Sequence, residues 1–252
     1  MLAHPTLDQL RELNLDGLIK AINELEASDQ VAELSHLEWL GLALEREISH
    51  RRDKRLAMRL RYAKLRHLAC IEDVDYHTPR GLDRASFVKL SQCLWIKDHE
   101  NILICGKSGV GKSWLACALG HQACRDNHSV LYRRVPKLFT ELMLARGDGR
   151  YARLLRSLSV VQLLIVDDFG LAAVDAAARH DLLEILEERY GRRSTIITSQ
   201  FPVDHWHDLI GDPTYADAIL DRIVHNAHRI DLSSPSLRKE RKSAARSNKH
   251  TS

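Results

Sequence analysis

One stretch constrains this chain more than any other: Asn101-Ile102-Leu103-Ile104-Cys105-Gly106-Lys107-Ser108-Gly109-Val110-Gly111-Lys112-Ser113. A short apolar run enters a glycine-rich turn and the nearly all-apolar segment from Trp114 to Leu119 leaves it, which reads as strand, loop and buried helix. From Gly106 to Ser113 the pattern Gly-x-x-x-x-Gly-Lys-Ser is complete. The spacing has a physical reason. Backbone N–H groups must wrap a string of phosphates, so Gly106, Gly109 and Gly111 bring main chain close where a Cβ would collide. A helix beginning near Gly111 points its orphan N–H groups and the positive end of its dipole at the β-phosphate. Lys112 is then placed to reach the β- and γ-phosphates of ATP and Ser113 to ligate Mg2+. Lys107, Ser108, Val110 and Trp114 complete the segment expected to touch the nucleotide. An ordinary glycine turn before a helix does not require the whole pattern with these flanks.

The second diagnostic stretch is Val160-Val161-Gln162-Leu163-Leu164-Ile165-Val166-Asp167-Asp168, which reads as one strand. A continuous apolar run ending in two carboxylates suits a parallel strand buried on both faces, with its carboxyl end at a ligand crevice. Asp167 is expected to hold Mg2+, directly or through water, and Asp168 to orient or deprotonate the attacking water. A helix cap would explain Asp168 alone but not the pair. Thr195 to Gln200 reads as a neighbouring buried strand ending in polar groups. Gln200, with Ser199 second, is the candidate to stand near the γ-phosphate.

At 252 residues the chain can hold a good-sized α/β core and a smaller appendage. No apolar run approaches the ~20 residues that span a bilayer. The amino terminus, Met1-Leu2-Ala3-His4-Pro5, lacks an export signal, so a cytoplasmic location without membrane contact is expected. The cysteines (Cys70, Cys93, Cys105, Cys117 and Cys124) form no C-x-x-C pair and show no disulfide spacing, in keeping with a reducing compartment.

Net charge is only +3, but it is unevenly placed. Pro5 and the box Thr6-Leu7-Asp8-Gln9 start an amphipathic helix expected over 6–27, and the box Ser35-His36-Leu37-Glu38 starts another, expected to run to about Leu65. Along the second, Arg46, Arg51, Arg52, Lys54, Arg55, Arg59, Arg61, Lys64 and Arg66 stand against Glu47 and Asp53. Charge of one sign beside a nucleotide-driven domain points to phosphate-backbone contact, with Arg51, Arg52, Arg55 and Arg59 as candidates on duplex DNA. A second basic element around Gly147-Asp148-Gly149 either touches DNA, through Arg150 and Arg153, or covers a subunit interface.

Pro79 and Gly81 break the pattern between Cys70 and His99, and Leu82 to Leu94 suggests a short helix. The expected division is a helical DNA- or partner-binding domain (1–69), a linker and lead-in (70–99), an ATPase core (100–235) and a basic disordered tail (236–252). Asp212-Pro213 launches a helix to about His225 that carries Arg222, and His228 to Leu232 reads as the last strand. His205 and His207 flank Trp206 without a third convergent ligand, which is poor evidence for metal.

The phosphate loop, Asp167-Asp168 and Thr198-Ser199-Gln200 resemble the IstB family, ATP-binding transposition helpers of bacterial insertion sequences. So does Val203-Asp204-His205-Trp206-His207, through Gly211-Asp212-Pro213 to Asp221-Arg222. The likeness covers nearly the whole chain, including Arg80-Gly81-Leu82-Asp83-Arg84. It implies an α/β AAA+ core, its parallel sheet flanked by helices in the AAA+ order, with a small all-α amino-terminal domain. It also implies similarity to the helicase loader DnaC, ATP-dependent homo-oligomerisation on duplex DNA within the nucleoid, and a transposase encoded by the same element as partner. Arg222 takes, in this resemblance, the place of the arginine finger that reaches a neighbouring subunit's γ-phosphate.

Two departures stand out. Asp168 occupies a position where most AAA+ proteins have Glu, one methylene longer, and only thirty residues follow Arg222, too few for a helical lid. Both favour slow turnover with binding intact. A loader of a replicative helicase, a non-hydrolysing nucleotide switch and, more remotely, a small-molecule kinase are the competing functions.

Overall fold

Pro5, whose missing N–H costs nothing at a helix start, opens α1 (Pro5–Glu12) in the computed structural model, which describes residues 5–27 and 34–234. The single helix expected over 6–27 is instead two. Asn14 takes φ 55°, a left-handed conformation that Asn tolerates, and the chain restarts as α2 (Asp16–Glu26). The Thr6–Gln9 pattern therefore lies inside α1 rather than ahead of it. The second capping box forms: Ser35 N–H donates to Glu38 Oε2 at 2.8 Å and Glu38 N–H to Ser35 Oγ at 3.4 Å, at the head of α3 (His36–Ala63).

Residues Met1–Arg59 form one compact unit and Leu60–Ser252 another, so residues 60–99 cluster with the core. The tail expected over 236–252 lies outside the described residues. In the first unit α2 meets α3 at Gly17, where a Cβ would lie 2.6 Å from Glu47 Cα. That approach buries Glu47, whose carboxylate accepts from Leu18 N–H at 3.0 Å and from Arg51 Nε at 2.5 Å. Part of the basic run is thus engaged within the unit: Arg46 pairs with Glu24 at 2.9 Å and Lys54 with Asp16 at 3.7 Å. Arg52 and Arg55 are exposed, and Arg59 is half-buried.

In the second unit, beyond the end of α3, come α4 (Arg84–Ser91), capped by the Asp83 side chain on Ser86 N–H at 2.8 Å, and a single turn, α5 (Leu94–Lys97). There follow β1 (Asn101–Gly106), α6 (Lys112–Arg125), β2 (Val130–Arg134), α7 (Val135–Gly147) and α8 (Tyr151–Val160). The chain continues through β3 (Leu163–Phe169), α9 (Ala176–Arg189), β4 (Ser194–Ser199), α10 (Trp206–Ile210), α11 (Pro213–Val224) and β5 (Ala227–Leu232). All pairings are parallel and the strand order is β2-β3-β4-β1-β5, the α/β architecture expected.

Strand alternation sorts the apolar residues between two layers. Leu103, Cys105, Leu164, Val166 and Ile197 share one core cluster with Leu138 of α7, Leu182 of α9 and Ile219 of α11. The opposite layer is α6, whose Gly120 approaches the sheet so closely that a Cβ would lie 2.7 Å from Ile165 Cδ1. Each fully buried Leu or Ile in these layers contributes about 2 kcal/mol. The expected strand beginning at Val160 is shorter: Val160 ends α8 and β3 starts at Leu163. The buried Arg189 sets that boundary by donating to Leu158 O at 2.7 Å and Val161 O at 2.9 Å. Among the described residues no helix is long and apolar enough to cross a membrane.

Candidate nucleotide-binding site

Parallel strands bring their carboxyl ends to one edge of a sheet, where open α/β folds carry ligands. Between β1 and α6 the chain turns through Gly106, Gly109 and Gly111 at φ 144°, 91° and 99°. At Gly106 the demand is also steric, since a Cβ would sit 2.2 Å from Leu232 O. Lys112, only 6% exposed, folds back so that Nζ donates to Gly106 O at 2.6 Å and to Lys107 O at 2.9 Å. Phosphate oxygens could take over from those carbonyls as acceptors.

Ser108, Gly109, Gly111, Lys112, Ser113 and Trp114 line a cleft of 520 Å³ together with Asp168 and Gln200, a volume that suits a nucleotide. Gly106 and Lys107 line a neighbouring hollow with Arg229 and Asp231. Val110 is fully buried, and its carbonyl accepts from Arg80 Nη1 at 3.3 Å.

The two carboxylates at the end of β3 have different surroundings. Asp167 is fully buried, its Oδ1 accepting from Ser113 Oγ at 2.7 Å and Thr198 Oγ1 at 2.5 Å, its Oδ2 from the Tyr132 hydroxyl. Burial and that bond push the Tyr132 phenol's pKa up, so it remains a donor. Asp168 sits at φ 64° in an irregularity of the β3–β4 register, a strained conformation of the sort that re-aims a side chain at a site. Thr198 Oγ1 accepts its N–H at 3.1 Å, and Arg134 Nε donates to its Oδ2 at 2.8 Å. Arg66 Nη1 stands 3.8 Å from Asp167 Oδ2 and 3.6 Å from Asp168 Oδ2.

These residues fit a magnesium-bound triphosphate. The glycine loop and Lys112 suit the phosphates, and a hydroxyl beside a carboxylate offers the hard oxygen donors that Mg2+ takes. Gln200 lines the cleft, whereas Ser199, the second candidate, is buried with its Oγ on Phe169 O at 2.9 Å. Alternation along β4 turns Thr198 to Asp167 instead. Tyr132, Thr198, Arg134 and Arg66 escaped notice as site residues. Tyr132 and Arg134 lie two apart at the carboxyl end of β2, and register pairs Arg134 with Asp167, so the strand pairing was their signal. Arg66 has none beyond its charge.

Arg222 lies elsewhere, at the other end of the strands. Its backbone carbonyl accepts from Asn101 Nδ2 at 3.4 Å, where β1 begins, and its guanidinium pairs with Glu187 and donates to Ala218 O at 2.8 Å. The helix that holds it starts as read, with the Asp212 side chain accepting from Tyr215 N–H at 3.1 Å. Of the second basic element, Arg150 pairs with Asp148 and Arg153 is exposed on α8. Among the described residues, His180, Asp181 and Glu184 are the one cluster of three His, Cys, Asp or Glu side chains close enough to share a metal, and Arg146 and Tyr151 already bond Asp181.

The family described as IstB-like ATP binding protein matches residues 8–245. A protein of Sinorhizobium fredii (strain NBRC 101917 / NGR234), named as the insertion sequence ATP-binding protein y4pL, is 67% identical over 242 residues, covering 96% of this chain and 99% of that protein. The Pseudomonas aeruginosa protein named as the ATP-binding protein of insertion sequence IS21 is 31% identical over 243 residues, covering 96% of this chain and 92% of its own length. Among solved structures, DnaI superposes with a TM-score of 0.59 at 25% identity, over 66% of this chain and 92% of that one. The DnaC helicase loader shares the fold at a TM-score of 0.51 and 19% identity, over 59% of this chain and 87% of its own. The chain belongs to the IstB-like ATP binding protein family, built on an AAA+ core.

Proposed function

We propose that this chain is an ATP-dependent DNA-binding helper of transposition, an ATPase that assembles on duplex DNA with ATP between adjacent copies and activates the transposase of its own insertion sequence. The observation that carries it is the separation of Arg222 from the phosphate loop of its own chain. Asn101, beside Arg222, and Gly106, at the loop, stand at opposite ends of β1, about 17 Å apart at ~3.3 Å per residue. An arginine so placed serves a neighbouring copy's nucleotide, not its own.

In this reading Lys112 and the loop N–H groups hold the phosphates, Ser113 and Asp167 hold Mg2+, Asp168 orients the attacking water and Gln200 faces the γ-phosphate. Bound Mg2+ supplies charge neutralisation at the β- and γ-oxygens. Arg222 leaves Glu187 for the phosphate of the next subunit, where its planar fork stabilises developing charge. The first unit, with Arg51, Arg52, Arg55 and Arg59, contacts duplex phosphates or a partner, and Arg150 and Arg153 add a second contact. The relatives' association with insertion sequences favours a transposase over a replicative helicase as partner.

Subunit mixing tests the reading. Lys112→Ala alone and Arg222→Ala alone are each expected to hydrolyse ATP at least about 100-fold more slowly than wild type on duplex DNA. An equal mixture recovers activity at about a quarter of its interfaces, those that join an intact Lys112 to a neighbour's intact Arg222. A mixture as inactive as its components removes Arg222 from the shared site.

A further inference from the structure

We propose that Arg66 is a second arginine for the terminal phosphate, supplied by the same chain that holds the nucleotide. The inference rests on the cleft described above being the ATP site.

Arg66 follows the end of α3 by three residues and is fixed through its neighbour. Leu65 packs against α6 at Gly120, where a Cβ would lie 3.1 Å from Leu65 Cδ2. The backbone next to the guanidinium is thereby held against the helix whose first turn carries Lys112 and Ser113. The side chain, 37% exposed, lines the cleft with those two residues.

Its contacts are unlike those of the structural arginines. Arg189 and Arg80 donate hydrogen bonds to named carbonyls, at 2.7 Å to Leu158 O and 2.9 Å to Asp75 O respectively. Arg66 instead hydrogen-bonds the Tyr132 hydroxyl and approaches Asp167 and Asp168 at 3.8 and 3.6 Å, longer than a hydrogen bond. Neither acid depends on it. Asp167 already accepts from Ser113, Thr198 and Tyr132, and Asp168 accepts from Arg134.

A permanently charged fork, partly desolvated and hydrogen-bonded to the neutral Tyr132 hydroxyl at the Ser113–Asp167 end of the cleft, is suited to two phosphate oxygens. With Ser113 and Asp167 committed to a divalent ion, the carboxylate charge that Arg66 faces is answered. The guanidinium is then available to the γ-phosphate. Because ADP ends one phosphate earlier, Arg66 discriminates ATP from ADP.

The test uses the full chain carrying Arg222→Ala, so that a neighbour's arginine does not contribute. Fluorescent N-methylanthraniloyl-ATP and N-methylanthraniloyl-ADP are titrated with Mg2+ against this protein with and without Arg66→Ala or Arg66→Lys. Arg66→Ala is expected to weaken the triphosphate by about 10- to 100-fold and the diphosphate by less than about threefold. Arg66→Lys, which keeps the charge but not the fork, falls between. Equal losses for both nucleotides, as a purely structural role would give, or an unchanged triphosphate affinity overturn the proposal. If the alanine variant does not fold, the same comparison on Arg66→Lys decides it. A parent protein that binds neither nucleotide overturns the assignment of the cleft itself.

Discussion

Lys112→Ala is expected to lower the affinity for ATP more than a hundredfold and to abolish ATP-dependent assembly, while the ligand-free protein melts within a few degrees of wild type. The ammonium is buried at the base of the loop, where it donates to two backbone carbonyls within 3 Å. Those carbonyls keep it in place until phosphate oxygens offer better acceptors. Charge-assisted hydrogen bonds contribute about 1.5–3 kcal/mol each, and losing two to the phosphates removes about 3 kcal/mol or more. The folded state suffers less, because the carbonyls it abandons lie in a loop that borders open cleft. Isothermal titration calorimetry against ATP checks the affinity, and a thermal melt by circular dichroism checks the fold. An alanine variant that still bound ATP within a few fold of wild type would place the nucleotide elsewhere.

Gly106→Ala acts on stability instead, and heavily. Its φ of 144° lies where residues with a Cβ are strained, and the added carbon would sit 2.2 Å from Leu232 O. That oxygen belongs to β5, which is paired to β1 with Gly106 opposite Leu232, so neither partner can move without breaking the ladder. The expected cost is about 4 kcal/mol, which lowers Tm by about 10 °C in a chain of this size. Gly147→Ala is the control, because nothing lies within 4 Å of a Cβ there. Equal melting of the two variants would contradict the tight fit at the loop.

The parts of this molecule that were legible in its sequence are those where one local rule decides the outcome. The Gly106–Ser113 loop, the Ser35 box and the Asp212-Pro213 start each carry their own geometry, and each forms where it was read. Where a distant partner decides, local pattern failed. Leu10 and Leu18 keep a helical period across Asn14, yet the chain turns there. The apolar run from Val160 looked like one strand, but Arg189, far along the chain, holds the carbonyls of Leu158 and Val161 and ends a helix in its midst. Between Thr198 and Ser199 only the strand's alternation decides which meets Asp167.

A single pattern unites the site. Asp167 and Asp168 are each held by groups from their own chain, whereas the arginine proposed to complete hydrolysis is turned to the opposite end of β1 and paired with Glu187. In the proposed reading nucleotide and assembly are coupled, since a ligand bound by two copies stabilises their contact by mass action.

Sedimentation velocity of the purified protein with duplex DNA, compared in ATP, in ADP and without nucleotide, tests this most directly. Large, discrete protein–DNA species in ATP alone are the predicted result. A chain that sediments as the same small species in all three conditions would contradict the account.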